Sequence, residues 1–238
     1  MAGLKYSFVF GVFAALLMVL AFQLRGLGWG LLWPALSFAL VAVAYAGAWP
    51  AVFGKCSDGR MHPWALVVLL PYLLMTWATW RLARRLSRES VHDEVAPGIV
   101  IGRRLLAGEL PVGTRTVVDL TSEFIEPEGI RSVEHYVCHP ILDATAPSVE
   151  RLASCVESWA MLPTPLYIHC AQGHGRTGMV AAALLLARGL APDAKQALAM
   201  VQKARPGVRL SAAQAAALEA LGARLLRVGS VTAGICGT

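Results

Sequence analysis

The sequence predicts an α/β domain, a mostly parallel central sheet flanked by helices, preceded by three transmembrane helices. Three observations carry this. Before Arg81 the only charged residues are Lys5, Arg25, Lys55, Asp58 and Arg60, set among dense Leu, Val, Ala, Phe and Trp. From Ser90 onward, short apolar runs alternate with longer segments of helical periodicity, the pattern of strands alternating with helices. Between one such run, Pro165-Leu166-Tyr167-Ile168, and the apolar stretch 179–187 lies a tight loop with glycines at Gly173, Gly175 and Gly178. A loop of that kind belongs at the carboxyl end of a central strand, where open α/β sheets bind ligands.

The apolar part divides into stretches at about 6–24, 27–49 and 63–80. Each has about eighteen residues or more, enough helix to cross a hydrocarbon core of ~30 Å. Trp29, Trp33, Trp49, Trp64, Trp77 and Trp80 lie mostly near the stretch ends, as interfacial aromatic rings do. Pro34 and Pro71 are tolerable because neighbouring helices satisfy the freed carbonyls. A cleaved signal peptide fits poorly, since the second stretch follows at once without a small-residue cleavage site. Arg81, Arg84, Arg85 and Arg88 form a basic collar after the third stretch. By the positive-inside rule that end faces the cytoplasm, which puts the N-terminus and the loop from Lys55 to Arg60 outside and Arg25 inside. The membrane domain therefore covers residues 1–88, in the plasma (inner) membrane.

The domain that follows covers residues 89–228, with 229–238 as a flexible tail. Strands are expected at 99–102, 116–120, 134–138 and 166–169, and helices at 148–161, 177–188, 193–204 and 211–226. Asp119 falls at a strand end and reads as a turn residue. Ala216, Leu218, Leu221 and Leu225 recur near helical spacing and read as core packing. The chain carries a net charge of +6, but the excess sits in the apolar part and its collar. Beyond Arg88 the basic and acidic residues nearly balance, which argues against a nucleic-acid partner. The collar instead suits anionic lipid headgroups, worth ~1 kcal/mol per basic residue near the surface.

The loop itself is chemically specific. A loop leaving a strand and opening a helix directs several backbone N–H groups at one point, where the helix dipole adds positive character. Glycines let that backbone approach a ligand closely, and Arg176 offers a planar fork for two phosphate oxygens. The same field favours a thiolate at Cys170, since a free thiol of pKa ~8.5 is only slightly ionised at neutral pH. Five cysteines (Cys56, Cys138, Cys155, Cys170 and Cys236) make no disulfide framework, and a reactive thiolate survives best in a reducing compartment. This places the domain in the cytoplasm by a second route.

His169-Cys170, five residues, then Arg176 and Thr177, resembles the signature of the cysteine-dependent phosphatases, most closely the dual-specificity branch. The resemblance extends over nearly all of the second domain, through Pro97-Gly98-Ile99-Val100-Ile101-Gly102 and Arg205-Pro206-Gly207 before a helix holding Gln214. It implies a dual-specificity phosphatase-like fold with Cys170 as nucleophile. Ala171, Gln172, Gly173, His174, Gly175 and Arg176 would bind the substrate phosphate. Thr177 would hydrogen-bond the departing sulfur, and His169 would support the loop. The family's general acid lies on a loop roughly thirty residues upstream, which matches Asp143 within residues 139–148. No metal and no cofactor is implied.

A phosphomonoester hydrolase held at a membrane would act on a lipid phosphate, such as phosphatidylglycerophosphate or a related phospholipid. Ala171 and Gln172 are neutral and leave His174 as the one basic residue inside the loop, which suits a single phosphate better than a multiply phosphorylated headgroup. The alternatives are a membrane-anchored protein tyrosine or dual-specificity phosphatase, and a pseudophosphatase that only binds phosphate. The second conflicts with retention of Cys170, Arg176 and Asp143. No catalytic group is expected from the apolar part, so a chain beginning near Glu89 should fold and turn over a small aryl phosphate.

Overall fold

The computed structural model describes residues 2–235. Its apolar part comprises α1 (Ala2–Leu24), a 3-10 turn (Gly26–Leu31), α2 (Leu32–Gly47), a second 3-10 turn (Pro50–Phe53) and α3 (Pro63–Leu86). Three segments, Gly3–Leu24, Gly26–Gly47 and Pro63–Leu86, are long and apolar enough to cross a membrane by length and composition. Ala48 in the left-handed region ends α2, and Pro63 at the first turn starts α3, where a missing N–H costs nothing. Ring contacts pair Tyr6 with Tyr45, Phe13 with Phe38 and Phe22 with Trp29, the register of two antiparallel helices. The outer faces remain apolar, with Phe8, Val12, Leu16 and Val19 of α1 exposed.

The second part is built on five strands: β1 (His92–Ala96), β2 (Ile99–Arg103), β3 (Thr116–Asp119), β4 (His135–Cys138) and β5 (Leu166–Cys170). They lie in the order β1-β2-β5-β3-β4, parallel throughout except for the antiparallel β1–β2 edge. The four expected strands are present. β1 was not expected, because His92, Asp93 and Glu94 give an edge strand no apolar signature. Central β5 is buried along its whole length, with Ile168 registered between Ile101 and Val118. Around the sheet lie α4, a single turn (Glu128–Arg131), α5 (Val149–Ala160), α6 (Gly175–Ala187), α7 (Ala194–Ala204) and α8 (Ala212–Ile235). Ser148 and Asp193 cap α5 and α7 by accepting from the amides of Arg151 and Gln196. Helix α8 continues well past residue 226, so helix covers residues 229–235 of the expected tail. Cys236 and its neighbours lie outside the described residues.

The loop between α2 and α3 does not lie away from the α/β domain, as the charge pattern led one to expect. It packs directly on that domain. Lys55 Nζ meets Asp119 Oδ2 at 2.5 Å with both side chains fully buried. The amide of Glu126 donates to Gly59 O at 3.0 Å. At the far end of α3, Arg84 donates to Arg104 O at 3.1 Å and pairs with Glu109. Arg104 in turn is bonded to Glu126 at 2.7 Å, so both flanks of α3 meet neighbouring residues of one surface. The ion pair thus joins residues 55–60 to the same domain surface that receives the far end of α3. The apolar part and the α/β domain share packing too, since Leu142 lies in one cluster with Phe53 and Tyr72.

Candidate active site

Cys170 ends β5 and is buried, and the loop after it turns into the first turn of α6. Gly173 sits at φ +75 with its α-carbon against β2, where a Cβ would fall 2.3 Å from the carbonyl carbon of Gly102. Only glycine fits there. The loop's carbonyls are held from outside. Ala171 O accepts from Trp80 Nε1 (2.9 Å) and from Arg104 N (3.2 Å). Arg205, itself buried, donates to Gly173 O (3.0 Å) and Gln172 O (3.3 Å) while paired with Asp93 and Glu89. In a trans peptide the N–H opposes the C=O, so carbonyls turned outward aim the following N–H groups inward. That is the geometry of an anion cradle.

Arg176 is 2% exposed and gripped by a residue that the sequence reading missed. Glu123 accepts from Nη2 at 2.7 Å and from Nη1 at 3.1 Å. The carbonyls of Ile141 (2.9 Å) and Leu120 (3.4 Å) complete the hold on Nη1. Burial pushes the Glu123 carboxyl up, but the Arg176 guanidinium outweighs it and holds the group below the usual carboxylate range. Arg176 Nε faces the other way, 3.4 Å from Asp143 Oδ1. The cation is thereby fixed on one side and open to a ligand on the other.

Asp143 is 59% exposed by its side chain and stands over Cys170 and Arg176 at the rim of their cavity. Its loop is pinned from the start of α8: Ser211 Oγ donates to Ala144 O (2.8 Å) and Gln214 Nε2 to Thr145 O (3.2 Å). Thr177 is buried, and its hydroxyl has no hydrogen-bond partner among the described residues. It is free to donate to a ligand or a sulfur. His174 borders the cavity but bonds Glu89 through Nε2 at 2.7 Å, so it is tied to the linker after α3. Gln172 and Gly175 also line the cavity.

His169 does not point into the cradle. Its ring stacks on Tyr167, and Nε2 lies 3.9 Å from Asp119 Oδ1, behind the loop. Asp119 is more than a turn residue. Besides Lys55, it accepts from Tyr136 Oη (2.7 Å), Thr121 N (2.8 Å) and Thr121 Oγ1 (2.7 Å). Burial pushes its carboxyl up, but Lys55 and His169 outweigh burial and hold it well below the usual range. Asp119, Glu126 and His169 together have the donor types of a metal site, yet the Lys55 ammonium already supplies the compensating cation. The nearby Cys138 thiol is pushed up to about 12 by burial and by Asp119, which leaves it unreactive.

The apolar part, from which no catalytic group was expected, reaches the site as lining. Tyr6 and Phe10 of α1, Tyr45 of α2, and Tyr72 and Trp80 of α3 line the same cavity as Cys170, Asp143 and Arg176. For Lys55 a signal did exist in the sequence, since a lysine at the edge of an apolar stretch is costly to bury unless it has a partner. What the sequence could not supply was the partner.

Among known proteins, the model of the PTP-SAK domain, described as a Swiss Army Knife protein, DSP-PTPase phosphatase domain, matches residues 103–232, more than half of the chain. No curated protein matches the sequence. Of solved structures, a mouse dual specificity phosphatase complexed with zinc tungstate superposes with a TM-score of 0.51 and 21% identity, over 60% of this chain and 96% of that one. PTPMT1 in complex with PI(5)P gives 0.50 and 15% identity, over 59% and 99%. At such identities these likenesses establish the fold, while the family model spans the cradle, the Asp143 loop and the helices that hold them. The chain thus belongs to the Swiss Army Knife DSP-PTPase family, and it is a cysteine-dependent phosphatase.

Proposed function

We propose that this phosphatase sits in a membrane and hydrolyses a lipid phosphomonoester. One observation carries the reading. The cavity of about 530 Å³ is lined by Cys170, Asp143 and Arg176 together with a wall of Tyr6, Phe10, Tyr45 and Tyr72 from the apolar helices. A substrate whose phosphate enters the cradle would thus lay its alcohol portion against helices that expose apolar side chains to their surroundings. An amphiphile suits that wall better than a peptide does. PTPMT1, with the same fold, has been captured with PI(5)P. The contacts of residues 55–59 and of Arg84 with one domain surface support a loop and domain on the same side of the bilayer.

In this reading the Cys170 thiolate attacks phosphorus, and the ester oxygen leaves with a proton from Asp143. Arg176 and the loop N–H groups take up the charge on the equatorial oxygens. Water then attacks the thiophosphate, Asp143 accepts its proton, and the sulfur departs toward the Thr177 hydroxyl. Inorganic phosphate is released and the thiolate restored.

The test is phosphate release from phosphatidylglycerophosphate and other monophosphorylated lipids in vesicles, compared with phosphotyrosyl and phosphoseryl peptides. Lipid turnover should exceed peptide turnover. Tyr45→Ala and Tyr72→Ala should raise KM for lipid while changing turnover of a small aryl phosphate little. Efficient peptide hydrolysis with lipid ignored would transfer the assignment to the protein-phosphatase class.

A further inference from the structure

We propose that Lys55, on the connection between the second and third apolar helices, is a positioning residue for the phosphatase reaction. The proposal rests on the phosphatase activity and is independent of which phosphomonoester is the substrate. Lys55 Nζ reaches Asp119 Oδ2 (2.5 Å) and Thr121 Oγ1 (2.7 Å) from 64 and 66 residues away. It thereby fixes the start of a short segment on which the catalytic loop depends. Asp119 is in register with His169 across the β3–β5 pair, and the amide of the next residue, Leu120, donates to His169 O at 3.0 Å. The carbonyl of Leu120 accepts from Arg176, and Glu123, three residues on, grips the same guanidinium. One ammonium from the apolar part therefore anchors the segment that aligns both Arg176 and the residue before Cys170.

The electrostatics fit such a role. Asp119 is faced by Lys55, Tyr136, His169, Glu126 and Cys138. Two buried carboxyls thus lie together here, and Glu126 Oε2 has no hydrogen-bond partner among the described residues. Arg104 compensates Glu126. Lys55 compensates Asp119, and its removal would leave that carboxylate with His169 as the remaining basic group beside it. A buried charge without its partner displaces the surrounding backbone or takes up a proton. Either outcome reaches Arg176 and the loop.

The experiment uses the full chain in detergent with a soluble aryl phosphate, which keeps it separate from the lipid question. Lys55→Met should lower kcat about tenfold or more at neutral pH. Its pH–rate profile should gain an inflection that the native enzyme lacks, as Asp119 becomes able to protonate in the working range. Adding Asp119→Asn to Lys55→Met should remove the inflection and recover most of the lost kcat. A kcat within twofold of native in Lys55→Met would overturn the proposal. So would a loss that merely tracks the fraction of titratable Cys170, with the native pH profile, since that is a purely structural effect. If Lys55→Met alone does not fold, the double variant decides: failure of the double variant to fold, or a folded double variant with kcat below a hundredth of native, overturns the role through Asp119.

Discussion

Removal of residues 1–88 is the most informative perturbation, because the sequence alone predicts a functional remnant and the structure predicts failure. Without Lys55, Asp119 keeps Tyr136 and Thr121 as donors and His169 beside it but has no ammonium. Breaking one side of a buried ion pair costs about 3–5 kcal/mol. The carbonyls of Glu123 and Ala171 lose the indole donors of Trp77 and Trp80, about 1 kcal/mol each, and Leu142 loses the cover of Phe53 and Tyr72. Against the ~5–15 kcal/mol that stabilises a whole domain, this removes about a third or more. At roughly 2–4 °C per kcal/mol for a domain of this size, Tm should fall by about 10–30 °C or the cooperative transition should vanish. The assay is thermal unfolding by circular dichroism beside kcat on an aryl phosphate, for the full chain and for a chain beginning at Glu89. An unchanged Tm with kcat within twofold would refute the reasoning and restore the independent domain.

Two further outcomes follow from the site. Asp143→Asn should slow hydrolysis of alkyl phosphates by about 10²–10⁴-fold and of aryl phosphates with good leaving groups far less, because only the poor leaving group needs the proton; equal losses would make Asp143 structural. Acid should destabilise the fold, since Asp119 and Glu123 have folded-state pKa values below their unfolded ones. Their contribution is complete above about pH 4.5 and is lost as pH falls toward the folded values. Glu126, raised by burial and by Asp119, acts with the opposite sign and offsets part of it. Urea midpoints measured from pH 7 to pH 3 should fall, and Glu123→Gln should lessen the fall; a flat profile would contradict the assignment.

The strands and helices of the α/β domain could be read from periodicity because each carries its own signature. β3 and β5 are buried along their whole length around the apolar pair Val117-Val118 and triplet Leu166-Tyr167-Ile168, and α5 and α7 begin at capping residues. The cradle was legible for the same reason, since glycines, thiol and guanidinium lie within nine residues of chain. Local signals failed where function depends on residues distant in sequence. Glu123 is 53 residues from Arg176 and Lys55 is 64 from Asp119, and nothing near either one marks its partner. β1 was hidden by the charges of an edge strand. The packing of residues 55–60 on the domain was illegible for a related reason. Charge counting treats a basic loop as solvated, whereas Lys55 is fully buried in an ion pair.

The hydrogen bond from Trp80 to Ala171 bears on how the enzyme comes into being. Helices α1 to α3 leave the ribosome first, while Asp119, Glu123 and Cys170 are still untranslated. N-terminal parts of a chain fold ahead of the rest during synthesis. The apolar helices can therefore pack together before the sheet exists, and the nascent domain then condenses onto a seat already in place. Its last closure, Gln214 onto the Asp143 loop, waits for α8. An enzyme assembled in this order completes its catalytic loop only on the seat that the helices provide, and a chain whose helices misassemble leaves Asp119 without its cation and the catalytic loop without its indole.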